Sequence, residues 1–490
     1  MSASHEPTSH TFEANAREAL ANARLQKALG AASGRFVSHR ASAVAERPDF
    51  EELRRCGHAI KQEALDRLPQ LLEQFEEHVV ARGGRVHWAR DAEEANQHVI
   101  RIAKNENVKR IVKSKSMATE EIHLNHALEA AGFEVVETDL GEFIIQLDKD
   151  IPSHIIAPAV HLTKEQVSEI FERELRETNA PGAGIPGLNA IARRTLRKSF
   201  LSAEMGISGA NFAAADSGSI VIVENEGNAG LCSTLPRIHV AVVGIEKLVP
   251  RFDDLAVMLK LLGRSATGQR LTSYTNFITG IAGDGEEGPE QFHVILLDNG
   301  RSKIYDDDHL WGSLRCIRCG ACLNACPVYK RAGGHAYGWV YQGPIGAVIT
   351  PQYLGLERAP ALPYASSLCG ACFEVCPVKI EIPHMLLELR SQVVEASTEA
   401  SGAAPKRPFF ESLSFGAFAF LGRRPKLWDF ATRLGRWLLR ARSSDGQIPA
   451  LSLPLLNRWT ARRDLRAPAR ETFREEWARR RGRADAEADA

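Results

Sequence analysis

The sequence Cys316-Ile-Arg-Cys319-Gly-Ala-Cys322-Leu-Asn-Ala-Cys326-Pro327 determines what the second half of this chain can form. Its spacing, C-x₂-C-x₂-C-x₃-C-P, is the pattern with which bacterial ferredoxins bind [4Fe–4S] clusters. Three closely spaced thiolates bind three irons of one cubane, and the cysteine before the proline binds the other cluster. The motif therefore predicts iron–sulfur binding.

A second copy of the motif lies at residues 366–377, with the sequence SSLCGACFEVCP. It repeats the frame of the first copy but has Ser366 at the position of the first cysteine. Because the last cysteine of each motif binds the cluster of the other motif, the repeat predicts two [4Fe–4S] clusters with two ligand sets. The set for cluster 1 is Cys316, Cys319, Cys322 and Cys376. The set for cluster 2 is Cys326, Cys369 and Cys372, with one undetermined position.

Zinc binding is the main alternative for such a group of cysteines. A structural zinc site is closed by four ligands, and the seven cysteines between residues 316 and 376 exceed that need. A disulfide framework would instead spread an even number of cysteines through a small secreted chain. The two remaining cysteines, Cys56 and Cys232, stand alone and are predicted to be buried or inert.

The composition excludes several classes of protein. The chain has 490 residues with 61 Lys plus Arg and 61 Asp plus Glu, so its formal net charge is zero. A dedicated nucleic-acid-binding protein is usually strongly basic, so we expect no nucleic-acid partner. No run of 18 or more residues is apolar, which predicts no transmembrane helix. The N-terminus lacks the apolar segment of a secretory signal, and the expected location is the cytoplasm.

The pattern along the chain predicts four parts. Residues 1–60 are expected to form an N-terminal helical arm, and Pro69 is expected to kink or split a helix over 62–81. Residues 61–300 alternate β-rich runs with helices, which is typical of an α/β domain with a mainly parallel sheet. The predicted strands are 109–113, 133–136, 143–147, 154–158, 219–223, 239–243 and 292–297. Helices are expected at 163–176 and 188–201, and glycine-rich loops at 206–209 and 280–288. A mostly helical two-cluster ferredoxin domain is expected at 305–395.

The last part is a basic helical tail at 405–490, after a linker at 396–408. From residue 406 onward the chain has 19 Lys plus Arg against 10 Asp plus Glu. The tail also carries a stripe of aromatic residues: Phe409, Phe410, Phe415, Phe418, Phe420, Trp428 and Phe430. We expect an amphipathic segment that docks a partner protein. Peripheral contact with an anionic membrane is the alternative, because basic faces with Phe and Trp also suit lipid.

Several segments of the α/β part, followed by the two cysteine motifs, resemble the lactate utilisation protein B family. The segments are 113–117 (KSKSM), 137–142 (ETDLGE), 152–161 (PSHIIAPAVH), 215–219 (ADSGS), 224–228 (ENEGN), 235–239 (LPRIH) and 243–247 (VGIEK). The resemblance covers about residues 12–400, and the basic tail is compatible with that family's C-terminal extension. It implies a lactate-utilisation domain whose sheet is similar to that of ribose-phosphate isomerase and CoA transferases. It also implies a role in oxidising L-lactate to pyruvate with two partner subunits, one cysteine-rich and one a smaller relative of the α/β domain.

The α/β segments also contain candidate site residues, but their sequence patterns are less specific than the cysteine motifs. Lys113 and Lys115 end a predicted strand, and Thr119 could cap the next helix, so this strand end could bind a carboxylate or phosphate. A solvated charged turn is the alternative. Three histidines lie in or beside apolar runs and are expected to be hydrogen-bonded core residues rather than ligands: His154, His161 and His239.

Two acidic residues, Glu224 and Glu226, follow a predicted strand at the place where a CoA transferase has its nucleophilic carboxylate. A surface turn closed by Gly227 is the favoured interpretation, because likeness of fold does not specify chemistry. The catalytic residues stay unknown at this stage.

The leading hypothesis is an iron–sulfur electron-transfer component of an L-lactate dehydrogenase complex. No flavin or nicotinamide motif is visible, so we expect the lactate chemistry on a partner or in the assembled complex. The alternative is a free-standing enzyme that binds an acyl or carboxylate substrate in the α/β domain. A redox-sensing regulator is disfavoured by the zero net charge.

Overall fold

The computed structural model describes residues 6–180, 182–283, 285–396, 409–448 and 465–488. The chain divides into two compact units, residues 1–405 and 406–490. The predicted linker, apart from its first residue, lies outside the described residues.

Four helices open the chain: α1 Phe12–Ala21, α2 Ala23–Ala45, α3 Phe50–Asp66 and α4 Leu68–Ala81. The predicted effect of Pro69 is confirmed, because α3 ends at Asp66 and α4 starts again with the proline in its first turn. A proline is tolerated there because its missing N–H would have no partner in the helix. Leu65 and Phe75 are fully buried and anchor these helices on the sheet that follows.

The central feature is a six-stranded sheet in which every neighbouring pair is parallel. Its strands are β1 Arg85–Ala89, β2 Arg110–Lys113, β3 Glu134–Glu137, β4 Met205–Ser208, β7 Ile238–Gly244 and β10 Gln291–Leu297. The order across the sheet is β1-β10-β7-β4-β2-β3. Every residue of β7 is buried, as expected for a parallel sheet covered on both faces. The predicted α/β class with a mainly parallel sheet is confirmed.

A smaller sheet has the order β8-β5-β6-β9. Its strands are β5 Phe212–Ala214, β6 Ser219–Glu224, β8 Leu248–Val249 and β9 Tyr274–Ile278. The helices that connect the strands of both sheets are α5 Ala92–Asn105, α6 Met117–Glu121, α7 Leu124–Ala130, α8 Leu140–Asp148, α9 Lys164–Leu175, α10 Gly184–Ser202, α11 Asn228–Thr234, α12 Leu255–Ala266 and α13 Arg301–Tyr305.

Three of the sequence predictions for this part are wrong. Residues 143–147 lie in helix α8, which starts where Asp139 accepts hydrogen bonds from the amides of Gly141 and Glu142. A short buried apolar run has no period that separates a strand from a helix. Residues 154–158 form turns, because the ring of His154 accepts hydrogen bonds from the amides of Ile156 and Ala157.

The third wrong prediction is the loop at 206–209, most of which lies in strand β4. A side chain at Gly206 would meet the carbonyl oxygen of Cys232 at 1.7 Å. The glycine therefore permits close packing of α11 on the strand, and it does not mark a turn.

The cysteine segment is helical, as predicted. Its helices are α14 Ala321–Ala325, α15 Tyr329–Ala332, α16 Gly343–Leu354, α17 Ala371–Val375 and α18 Ile382–Ala396. Its buried residues share one core with residues of the smaller sheet and of α12.

The second unit contains α19 Phe409–Gly422, α20 Pro425–Ala441, α21 Phe473–Ala488 and a two-stranded pairing of β11 Gln447–Ile448 with β12 Leu465–Arg466. Six of the seven predicted aromatic residues are exposed, with Phe410 at 77% and Phe418 at 61%. Among the described residues, no helix is both long and apolar enough to cross a bilayer.

Candidate functional site

The two cysteine motifs follow the same backbone path. Arg318 and Leu368, two residues after the first position of each motif, have φ values of 58° and 53°. Gly320 and Gly370 have φ values of 71° and 84° and precede the short helices α14 and α17. Few residues other than glycine adopt this left-handed conformation readily. Its occurrence at matching positions shows that the sequence repeat is also a structural repeat.

The structure brings the thiols together in two groups. In the first group, burial raises the pKa of Cys319 above its ordinary value, and the nearby sulfurs of Cys376 and Cys316 raise it further. Burial also raises the pKa of Cys322, as do the nearby sulfurs of Cys316, Cys319 and Cys376 and that of Cys372 from the second motif. The predicted ligand set of cluster 1 is Cys316, Cys319, Cys322 and Cys376.

The second group consists of Cys326, Cys369 and Cys372, the predicted set for cluster 2. Burial, followed by the proximity of Cys326, raises the pKa of Cys372 to about 12. Burial also raises the pKa of Cys326, and Cys369 adds to the effect. Most of these electrostatic contacts run between cysteines that the crossover assigns to one cluster. The two ligand sets and the assignment of each cysteine to an iron stay predictions.

The donor chemistry of these groups fits iron–sulfur clusters. Thiolates are the ligands that hold such clusters, and hydrogen bonds to the sulfurs stabilise the charge. The amide of Arg318 donates to Cys316 Sγ at 3.4 Å, and that of Ile380 donates to Cys376 Sγ at 3.3 Å. Buried cations add to this, because Arg318, Lys61 and Lys247 all interact electrostatically with Cys316.

The N-terminal helices hold the second motif in place, which the sequence did not reveal. Arg40 of α2 donates to the carbonyl of Val375 at 3.1 Å. Arg54 of α3 donates to the carbonyls of Cys376 and Phe373 at 3.0 and 3.2 Å. The predicted helical arm is therefore part of the cluster-binding structure.

Ser366 occupies the position in the second motif that Cys316 has in the first. Its Oγ accepts a hydrogen bond from the amide of Leu368 at 3.1 Å. Cys316 Sγ accepts the equivalent bond from Arg318. The cluster-2 group is also more open to solvent, because Cys369 is exposed whereas Cys319, Cys322 and Cys376 are buried.

The two lysines of the possible anion site at the end of β2 have different surroundings. Lys113 is fully buried and contacts Glu137 at 2.7 Å, Glu120 at 3.1 Å and the Thr119 hydroxyl at 3.0 Å. These acids already neutralise it, so Lys113 does not serve the possible anion site, and its full burial contradicts the alternative of a solvated turn. The helix N-cap is Ser116 rather than Thr119, because the Ser116 hydroxyl accepts from the Thr119 amide. Lys115 instead lines a cavity.

Glu224 has a structural role, which favours the turn interpretation over the nucleophile. Its carboxylate accepts hydrogen bonds from the amides of Ala229 and Gly230 at 2.7 and 2.8 Å and from the Asn276 amide group at 2.7 Å. These bonds satisfy the first turn of α11. Glu226 accepts from the amide of Leu140 at 3.0 Å. Partial burial, together with the nearby Asp139, raises the pKa of Glu226 to about 7.

Two of the three histidines are hydrogen-bonded core residues, as predicted. His239 Nε2 lies 2.8 Å from the Ser208 hydroxyl, and His154 Nε2 lies 3.2 Å from Asn324 Oδ1. His161 is half-buried, and its ring nitrogens lie within hydrogen-bonding distance of Ser153 and Asp150.

A buried ion network joins the parallel sheet to the cysteine segment, and sequence reasoning missed it. Arg301 of α13 donates to both oxygens of Glu121 at 2.8 and 2.9 Å and also to Glu246. Tyr341 donates its hydroxyl to Glu121 at 2.6 Å, and Arg318 lies 3.5 Å from Glu246. Burial opposes ionisation of Glu246, but Arg301 and the other nearby cations lower its pKa to about 2. Glu246 is therefore ionised at neutral pH.

Comparisons with known proteins agree with this site. Family models match at residues 72–297 (LUD domain), 312–380 (4Fe-4S dicluster domain) and 388–483 (Lactate utilisation protein B, C-terminal). The Lactate utilization protein B of Bacillus licheniformis is 44% identical over 468 residues, which are 95% of each chain. That of Anoxybacillus flavithermus is 43% identical over 96% of this chain and 98% of its own length.

Among solved structures, a DUF162 family protein from Deinococcus radiodurans matches with 15% identity and a TM-score of 0.25. The match covers 47% of this chain and 98% of that chain. The predicted likeness to the ribose-phosphate isomerase and CoA-transferase sheet stays a prediction.

The dicluster model and the two thiol groups together indicate that the chain carries two [4Fe–4S] clusters. The names of its relatives connect it with lactate utilisation, and the dicluster model connects it with iron–sulfur electron transfer. Nearly the whole length of the chain matches these relatives at more than two residues in five. The chain belongs to the lactate utilisation protein B family.

Proposed function

We propose that this chain is the iron–sulfur electron-transfer subunit of a complex that oxidises L-lactate to pyruvate in the cytoplasm. The observation that supports it best is the pair of thiol groups, which are built from a repeated ferredoxin motif and lie against a lactate-utilisation domain. When bound, [4Fe–4S] clusters accept and release electrons one at a time. Lactate oxidation yields two electrons, so two clusters in one segment suit this task.

The chain's own residues define the two ends of such a pathway. Cys316, Cys319, Cys322 and Cys376 would hold cluster 1, with Arg318 and Lys247 supplying positive charge. Cys326, Cys369 and Cys372 would hold cluster 2. The exposed Cys369 makes this second site the more accessible to another protein. We propose that the exchange with a partner takes place there.

The partners themselves are proposed to be a cysteine-rich subunit and a smaller relative of the α/β domain. The basic tail, with 19 Lys plus Arg against 10 Asp plus Glu and a row of exposed aromatic side chains, would dock one of them. Basic and aromatic residues together suit a complementary acidic surface that has apolar pockets.

A reconstitution experiment tests the function. The full chain with both clusters is mixed anaerobically with its genomic neighbours, and lactate-dependent reduction of the clusters is followed by visible absorbance and electron paramagnetic resonance. We expect reduction by L-lactate only when the neighbours are present. Reduction of the isolated chain by lactate would instead support the free-standing enzyme, the second candidate function. In cells, deletion of the gene should abolish growth on L-lactate but not on pyruvate, and equal growth on both would contradict the proposal.

A further inference from the structure

A cavity of about 280 Å³ lies between the parallel sheet and the cysteine segment. The loops that follow β2, β4 and β7 form one side, with Lys115, Gly209 and Lys247. Arg318 and Cys319 line it from the cysteine segment. The cavity therefore adjoins a predicted ligand of cluster 1.

The topology of the sheet places this cavity where α/β proteins commonly bind ligands. From β2 the chain continues to β3 on one side, and then returns to build β4, β7 and β10 on the other side. The connections thus change direction between β2 and β4. In open parallel sheets, ligands bind outside the carboxyl ends of the strands at such a switch point. The loops after β2 and β4 are the ones that line the cavity.

Lys115 gives the cavity an unsatisfied positive charge. Lys113 is the last residue of β2 and is buried among acids, whereas Lys115 lies in the loop beyond the strand and lines the cavity. Its Nζ is buried and has no hydrogen-bond partner among the described residues, and the same holds for the hydroxyl of Ser114. Burial lowers the pKa of Lys115, although Glu142 and Asp139 oppose this shift from a distance. A buried charge without a partner is costly, and sites that bind a charged ligand accept that cost.

Two further cations line the cavity. NH1 of Arg318, from the cysteine segment, has no hydrogen-bond partner within the described part of the chain. Lys247 lines the cavity from the loop after β7.

Four acids line the cavity, and backbone amides bind three of them: Asp139, Glu224 and Glu226. Arg301 binds Oε2 of Glu246, whereas Oε1 of Glu246 has no hydrogen-bond partner among the described residues. The unpartnered donors of Ser114, Lys115 and Arg318 therefore outnumber this one acceptor.

We propose that this cavity binds a small organic carboxylate of about three carbons, a hydroxy or oxo acid, with Lys115 as its main charged contact. This inference rests on the proposed function and gives the complex a substrate or product site beside cluster 1. The volume of about 280 Å³ admits such a ligand with room to spare, and the size of about three carbons follows from the proposed function. A carboxylate would provide the hydrogen-bond acceptors that Lys115, Ser114 and Arg318 lack.

Binding is tested on the full chain with both clusters, by anaerobic calorimetry with L-lactate, pyruvate and the uncharged analogue lactamide. Loss of one charge-assisted hydrogen bond corresponds to about a 10- to 100-fold change in affinity. We expect Lys115→Met to weaken pyruvate and lactate binding by that factor and Lys115→Arg to retain most of it. The control Lys104→Met, at the exposed end of α5, should bind as the parent does.

A second measurement needs no variant. Addition of pyruvate to the reduced parent protein should change the paramagnetic signal of cluster 1, whereas lactamide should not. Absence of both binding heat and signal change, or equal affinity in Lys115→Met and the parent, would overturn the site. Lactate-dependent reduction with the partners is measured separately. If lactate-dependent reduction persists in a protein that binds no carboxylate, the proposed site is wrong and the proposed function stands. If carboxylate binds but the clusters are not reduced, the site stands and the proposed function is wrong.

Discussion

Replacement of Ser366 tests how the second cluster is completed. Three thiolates, from Cys326, Cys369 and Cys372, leave one iron of a cubane without a cysteine. A hydroxyl loses its proton far less readily than a thiol, whose pKa is about 8.5. We therefore predict a four-iron cluster with one labile iron, so that anaerobic protein contains about eight irons per chain in two cubanes. Brief oxidation should remove about one iron and produce a three-iron paramagnetic signal from cluster 2.

The structure shows why Ser366→Cys should change this result. The Ser366 hydroxyl makes the same hydrogen bond to the amide two residues later that Cys316 makes with its sulfur. Leu368 and Arg318 also share the left-handed conformation. A cysteine at position 366 would therefore place its sulfur as Cys316 does, and iron loss should be suppressed.

Ser366→Ala tests whether the Ser366 hydroxyl binds iron or only accepts a hydrogen bond. The change removes one hydrogen bond from Leu368, worth about 0.5–1.5 kcal/mol, which is too little to unfold the segment. Iron content, the yield of the three-iron signal and its loss on adding ferrous iron are measured for all three proteins. If Ser366→Ala loses the whole of cluster 2 while the cysteines remain, Ser366 is a ligand and the open-corner reasoning is refuted.

Three further predictions concern the rest of the chain. Arg301→Met should lower the free energy of unfolding, measured by urea denaturation, by about 3–5 kcal/mol, because it leaves two buried carboxylates without their partner. The control Arg17→Met, which removes an exposed ion pair, should change that free energy by less than about 1 kcal/mol. Truncation after residue 405 should keep both clusters but lose the partner subunits in co-purification, and retained complexes with loss of liposome binding would favour the membrane alternative. Burial lowers the pKa of His239 to about 3, whereas in the unfolded chain its pKa is about 6.5. As the pH drops from about 6.5 towards 3, the unfolded chain therefore binds a proton that the folded chain does not, and the free energy of unfolding should fall. His239→Asn should reduce that slope, which pH-dependent denaturation measures, and an unchanged slope would show that His239 does not contribute.

Most of the features that could be predicted from the sequence alone depend on the spacing of residues that are close together in the chain. Most ligands of each cluster lie within a few residues of one another, so the frame of the motifs was enough to predict two clusters and the helical character of the segment. The crossover of the last cysteine of each motif comes from the ferredoxin pattern and stays a prediction. The parallel sheet was also visible, because its buried strands are β-branched apolar runs such as β7 and β10. The run at 143–147 looked the same and is a helix, since only its cap at Asp139 distinguishes it.

Contacts between distant parts of the chain could not be read in this way. Arg301 meets Glu121 from 180 positions away, and neither residue stands in a motif. The two lysines at the end of β2 looked equivalent, yet the acids that neutralise one of them come from β3 and α6. Which lysine stays unpaired depends on the packing of those elements. Which charged residues pair across a fold depends on its tertiary packing, and a single sequence does not reveal that packing.

The ion network around Arg301 links iron supply to the integrity of the whole first unit. Glu121 and Glu246 belong to the α/β part, but Tyr341 and Arg318, which complete their surroundings, belong to the segment that is ordered around the clusters. If that segment fails to fold for want of iron, the two carboxylates lose part of their charge compensation while still buried. A shortage of iron should thereby weaken a domain that binds none.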